Sequence, residues 1–121
     1  MIKVYVAGAY SADNVIDVLK NIGKGETEAA NLFKLGFAVF TPWHDKDYII
    51  KNPYQDWPVK HFLDNSMAWL EVSDIVYVIP GWENSTGVKA EIVRAKELRI
   101  PVVYEVDDLL EWKYLVERSN D

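Results

Sequence analysis

Four short runs of β-branched and aromatic residues alternate along this chain with stretches of helical spacing, and that alternation constrains the fold more than any other feature. The runs are IKVYVAG (Ile2 to Gly8), FAVFT (Phe37 to Thr41), DIVYVIP (Asp74 to Pro80) and PVVYEV (Pro101 to Val106). Each is nearly continuous in apolar residues and ends in or beside a turn former, which reads as a buried strand. Between the first two, Val15, Val18, Leu19, Ile22, Ala29 and Phe33 keep a helical period from Asp13 to about Leu35, where Gly36 stops the helix. Gly23 and Gly25 weaken its middle, and a break there is left open. Further helices are expected from about Val59 to Glu71, from Thr86 to Leu98, and, shorter, from Asp107 to about Val116. Strands alternating with helices predict an α/β fold: a mainly parallel sheet of four to five strands, covered on both faces, in a single domain over residues 1–121.

Composition narrows the function classes. The 121 residues include five Trp and seven Tyr, enough for a substantial core, and no Cys, which removes disulfides and thiolate metal sites. The apolar runs fall far short of the ~20 residues of a membrane span, and no basic segment precedes MIKVYVAG, so a cytoplasmic protein without membrane association is expected. The net charge of −6 argues against a nucleic-acid polymer as partner. A small anionic ligand remains compatible with it, because backbone N–H groups at a helix start hold one or two phosphates whatever the overall charge.

In an open parallel sheet, ligands sit outside the carboxyl ends of the strands. Here that edge collects Gly8, Ala9, Tyr10 and Ser11 after the first strand, Trp43 and His44 after the second, and Gly81 to Gly87 after the third. The segment from Pro42 to Pro58, PWHDKDYIIKNPYQDWP, is longer and more aromatic than a plain connection requires. Its Trp43, Tyr48, Tyr54 and Trp57 suit either stacking on a planar base or anchoring the loop.

Two constellations carry chemistry. In NSTG (Asn84 to Gly87), Ser85 is a good N-cap, and Thr86 and Gly87 leave N–H groups free at the positive end of a helix; the pattern serves an anion site or ordinary capping. One turn further, Glu91 falls inside the apolar arc formed by Val88, Ile92, Ala95 and Leu98. A carboxylate there is either a helix-edge group, paired with Arg94 or Lys96 or reaching solvent, or a catalytic group facing the cleft. In the second case it suits the anomeric carbon of a sugar, as nucleophile or as stabiliser of an oxocarbenium-like transition state. VAGAYSA (Val6 to Ala12) lacks the G-x-G-x-x-G of a dinucleotide fingerprint, and His44, Asp45, Asp47 and His61 have no paired metal-ligand spacing. Neither a cofactor nor a metal is expected.

The segments VYVAGAYSA, SMAWLEVSDIVYVIPGWENSTGVKAEIVRAKEL and IPVVY resemble the nucleoside 2-deoxyribosyltransferase-like superfamily, most closely its short members with a PGWE-x-S-x-G-x-x-x-E pattern, over nearly the whole chain. The resemblance implies a Rossmann-like three-layer sandwich and cleavage or transfer of the N-glycosidic bond of a (deoxy)nucleoside or its 5′-monophosphate. It places the superfamily's catalytic Glu on Glu91, the aromatic residue that orients it on Tyr5, and a phosphate-contacting Ser on Ser85. It implies a homo-oligomer as well, most simply a dimer, in which neighbouring subunits complete each cleft. One departure stands out: where these enzymes carry an Asp that handles the proton on the departing base, this chain has Ser66, leaving Asp64, His44 and Glu83 as stand-ins. A rival reading follows from Ser66: a non-catalytic nucleotide-binding or sensing module of the same fold.

Overall fold

The computed structural model describes residues 1–119. Strand β1 (Lys3–Ala7) leads into helix α1 (Val15–Lys34) and strand β2 (Ala38–Phe40); a 3-10 turn over Pro42–Asp45 and a short helix α2 (Lys46–Lys51) follow. The chain continues through α3 (Val59–Glu71), β3 (Ile75–Val78), α4 (Thr86–Glu97), β4 (Val102–Val103) and α5 (Val106–Ser119). All strand pairings are parallel, in the order β2-β1-β3-β4. The fold is therefore the expected α/β three-layer sandwich, with four strands in its sheet.

The continuous apolar character of β1 and β3 has a direct cause, because successive side chains enter opposite layers. Val4 and Val6 of β1, with Ile75, Tyr77 and Ile79 at β3, join Ile22 and Leu32 of α1 and Leu109 of α5 in one core. Tyr5 and Ala7, with Val76 and Val78, join Leu70 of α3 and Val88, Ile92 and Ala95 of α4 in the other. Each such large side chain taken fully out of water contributes about 1.5–3 kcal/mol. A strand with one polar face would leave one of these layers without a floor.

One point that the sequence leaves open is decided by the structure, and two details depart from the expectation. Helix α1 runs unbroken through Gly23 and Gly25. Gly25 is there for packing: a Cβ at this position would lie 2.6 Å from Trp43 Cδ2, so only glycine lets the fully buried indole lie against the helix. β4 keeps only two residues, because α5 already begins at Val106 and Tyr104 turns to pack against Trp82 at a centroid distance of 5.6 Å. For the same reason α5 starts earlier than expected, and it also ends later, at Ser119. At the far end of the sheet from the connecting loops, Asp74 Oδ2 accepts a hydrogen bond from Lys3 N–H at 2.8 Å, which ties β3 to the start of β1.

The strand order reverses between β1 and β3, since the chain leaves β1 for β2 on one side and returns to β3 on the other. In sheets of this kind the crevice opens at that reversal, outside the carboxyl ends of the two strands. Gly8 and Gly81 stand there, and α4 starts just beyond.

Candidate active site

Glu91 lies on the second turn of α4, on the side of the helix that carries Val88, Ile92 and Ala95 into the core. The residue as a whole is half-buried, but its Oε2 is sealed from solvent and has no hydrogen-bond donor of normal geometry. Of the partners that a helix-edge carboxylate could take, Arg94 instead pairs with Glu97 at 3.1 Å and Glu71 at 3.7 Å. With no cation against it among the described residues, Glu91 is governed by desolvation, which lifts its pKa from 4.5 to about 7, with an opposing pull from the Tyr5 phenol. It titrates in the neutral range, where a side chain of this type is ordinarily ionised throughout.

Tyr5 is the group that adjoins it. β1 sits in the middle of the sheet, so Tyr5 has no exposed surface, and its Oη is also buried without a well-formed hydrogen bond. Burial first, and the neighbouring Glu91 second, raise the phenol's pKa well above the ordinary range, while the Ser66 hydroxyl on α3 pulls it down. Tyr5, Glu91 and Ser66 thus come from β1, α4 and α3 to one place. Two buried polar atoms left open side by side are rare in a folded core, and such gaps point to a ligand or a reacting group.

From Tyr5 an aromatic column leads outward. Phe40 of β2 stacks on Tyr5 at 5.4 Å with planes 22° apart, and Trp69 of α3 stacks on Phe40 at 5.6 Å and 20°. Phe40 and Trp69 then form one wall of an open cleft of about 260 Å³, shared with Thr41, Pro42, His44, Asp45, Tyr48 and Asn65. His44 is exposed and meets Tyr48 edge-on at 5.8 Å.

At the edge of the cleft, Asp45 is, among the described residues, the buried charged one, with 8% of its surface accessible. Its Oδ1 accepts a hydrogen bond from Tyr10 Oη at 2.9 Å, and Tyr10 O in turn accepts one from Asn21 Nδ2 at 3.2 Å. Burial raises the Asp45 pKa, opposed by the Tyr10 hydrogen bond and by His44 and Lys46; the same burial and pairing hold the Tyr10 phenol well above its usual range.

Trp43 is a correction. Expected as a ligand contact, it has no accessible surface: its ring fills the space over Gly25 and Gly8, and its Nε1 donates to Ala9 O at 3.1 Å. Gly8 belongs to the same wedge, since a Cβ there would come within 2.5 Å of the Ile79 side chain and 2.9 Å of Trp43 Cζ2. Ser11 is exposed on the loop after β1 and faces open solvent.

At the start of α4, Ser85 Oγ accepts from Val88 N–H at 3.2 Å, a normal N-cap, and Thr86 and Gly87 are exposed. Gly81 has φ +93°, a left-handed turn that brings the chain from β3 round to this helix. Lys24 of α1, which the sequence gave no reason to single out, reaches across to Pro80 O at 2.6 Å, and its Nζ would stand 3.3 Å from a Cβ on Gly81. One lysine therefore adds positive charge beside the loop that leads to the helix start.

Of the three stand-in acids, Asp64 is exposed and bonded to Lys60 Nζ at 2.6 Å, Glu83 is exposed, and His44 alone reaches the cleft wall. Asp45, weighed in the sequence only as a would-be metal ligand, was the residue missed; its sole local signal is its place in the irregular segment after β2. Among the described residues no three His, Asp or Glu side chains converge on a metal position, and no helix is long and apolar enough to cross a membrane.

Comparison with known proteins agrees with this geometry at the level of fold. A solved structure characterised as the 2-deoxyribosyltransferase of the psychrotolerant bacterium Bacillus psychrosaccharolyticus is similar, with a TM-score of 0.54 and 22% identity over 83% of this chain and 69% of that one. The chain thus has the nucleoside 2-deoxyribosyltransferase-like fold. The model of a family described as a domain of unknown function, DUF4406, matches residues 2–104. No curated protein matches the chain.

Proposed function

Since the chain belongs to that DUF4406 family, whose description names no activity, we propose from the site itself that the protein cleaves or transfers the N-glycosidic bond of a (deoxy)nucleotide through Glu91. The observation that carries the reading is a carboxylate with one sealed, unbonded oxygen, no cation partner and a pKa near neutrality, set against a buried tyrosine beside the crevice. Such an arrangement is costly for stability and useful for chemistry. An anionic Glu91 attacks the anomeric carbon, or stabilises the positive charge that develops there as the base leaves. Tyr5, fully buried and stacked on Phe40, fixes the direction from which it does so.

The helix start at Ser85, Thr86 and Gly87 supports a 5′-phosphate as the anchoring group, with exposed N–H groups, the positive end of the helix and Lys24 nearby. The Phe40 and Trp69 faces support a planar base in the cleft. Gly8, Tyr10 and His44 line or underpin the same edge. The transferase fold of the similar structure is compatible with either water or a second base as acceptor.

The rival reading, a nucleotide-binding module without turnover, is favoured by one observation: α3 offers the Ser66 hydroxyl to Tyr5 where an acid would be wanted. The two readings separate on incubation with a panel of deoxynucleosides and their 5′-monophosphates, followed by chromatography for free base. Release of free base above that in buffer alone supports the enzyme, in which Glu91 acts in its ionised form. Saturable nucleotide binding with no base released over hours supports the module and rejects the enzyme.

A further inference from the structure

Breaking a glycosidic bond takes two groups, one at the anomeric carbon and one for the leaving atom, and the first alone leaves the departing base with an unprotonated, high-energy nitrogen. α3 presents Ser66 and no acid toward Tyr5, while Asp64 is turned to solvent and engaged by Lys60. A carboxyl group does reach the cleft from another element, the 3-10 turn after β2. We propose that Asp45 is the residue that gives the departing base its proton, an assignment that rests on the glycosidase reading of Glu91.

Three features of the geometry carry it. Asp45 borders the cleft directly, together with Phe40 and Asn65, so a base stacked along the aromatic wall meets it. Tyr10 Oη holds Oδ1, whereas among the described residues no hydrogen bond ends on Oδ2 and that oxygen is not sealed from solvent. Phe40, which lines the cleft with Asp45, stacks on Tyr5, the residue beside Glu91, so the cleft that Asp45 borders adjoins the tyrosine of the Glu91 site. Burial favours the protonated form of Asp45 that the role requires, against the opposing influence of Tyr10, His44 and Lys46.

The step balances without any further reagent than water. As a Glu91 oxygen bonds to C1′, the bond from C1′ to the base nitrogen breaks and its electron pair leaves with the base. The proton on Asp45 Oδ2 passes to a ring nitrogen of that base. Water then attacks C1′ and surrenders a proton to the Asp45 carboxylate, and the ester to Glu91 breaks with its pair returning to the glutamate. Both side chains end as they began.

The test compares two probes, 2′-deoxyguanosine 5′-monophosphate and its N7-methyl derivative, whose base departs neutral and needs no proton. For the Asp45→Asn variant, kcat is expected to fall roughly 10²–10⁴-fold on the first probe and to stay within about tenfold of wild type on the second. Tyr10→Phe, which frees Oδ1, is expected to show the same selectivity in milder form. Glu91→Gln is expected to lose both. Retained activity on the methylated probe also certifies that Asp45→Asn is folded. Equal losses on the two probes, or none on either, overturn the assignment to Asp45. A wild type that cleaves only the methylated probe overturns it too while leaving Glu91 in place, and a wild type inert to both removes the glycosidase reading itself.

Discussion

Replacing Glu91 with Gln keeps the side chain's size and removes its charge, so its effect on stability is readable from the site. The folded protein holds the Glu91 proton to about pH 7, whereas the unfolded chain releases it near 4.5. Between those values the folded state binds more protons than the unfolded one, so stability falls as pH rises through that window and levels off above it. At 1.36 kcal/mol per unit, the penalty for ionising the buried group is ~0.8 kcal/mol near pH 5 and ~3.3 kcal/mol near pH 8. The variant escapes it at both. For 121 residues, an unfolding entropy of ~2.1 cal/mol/K per residue converts those figures to roughly 3 °C and 13 °C in Tm. The buried amide of Gln subtracts a similar amount at each pH, so the quantity to read is the growth of the Tm difference between the two conditions, on the order of 10 °C. Thermal melts of wild type and Glu91→Gln in matched buffers measure it. A Tm difference that does not change with pH means that Glu91 is solvated in solution and that its unusual ionisation is not real.

Four further outcomes follow from packing, charge and exposed surface. Gly25→Ala is expected to destabilise by about 1–3 kcal/mol, because its methyl group meets Trp43 at 2.6 Å. Gly23→Ala, with nothing within 4 Å, is expected to stabilise by up to about 1 kcal/mol in the same helix, as chemical denaturation will show. A nucleoside 5′-monophosphate is expected to bind at least about tenfold more tightly than its nucleoside by calorimetry, a charge-assisted contact at the start of α4 being worth about 1.5–3 kcal/mol; equal affinities reject the phosphate assignment. A homodimer is expected, with light scattering giving about twice the 13.9 kDa chain mass, since Ile16, Leu19 and Phe33 on α1 and Leu63 and Trp69 on α3 are all more than half exposed. A monomer mass across micromolar concentrations contradicts that.

The fold was legible because its signals are local. β3, and β1 beyond the exposed Lys3, are apolar at every position since both their faces are covered, and the glycines and prolines at their ends are the turns that a parallel sheet needs. The Glu91 anomaly was legible too, because helical spacing alone puts it among Val88, Ile92 and Ala95. What it faces was not, since Arg94 had two plausible directions and only the packing of α3 against α4 turned it to Glu71. The same applies to the middle of α1: Gly25 looks like a weak point until Trp43, eighteen positions further on, is laid across it. An indole in an irregular segment reads equally well as a stacking platform or an anchor, and Trp43 is the anchor. Asp45 was missed for a related reason, because a carboxylate beside His44 carries no mark in sequence of whether it is buried, and its Tyr10 partner is 35 residues away.

The central claim is that Glu91 is the group that meets the anomeric carbon, and the most direct measurement is base release from a deoxynucleoside 5′-monophosphate by wild type and Glu91→Gln, with nucleotide affinity measured calorimetrically on the same preparations. The account predicts that turnover falls by roughly three or more orders of magnitude while affinity changes by less than about tenfold, the signature of a group used in the transition state and little in binding. Turnover by Glu91→Gln within about tenfold of wild type contradicts it, because the amide can neither attack nor carry the charge that the step demands.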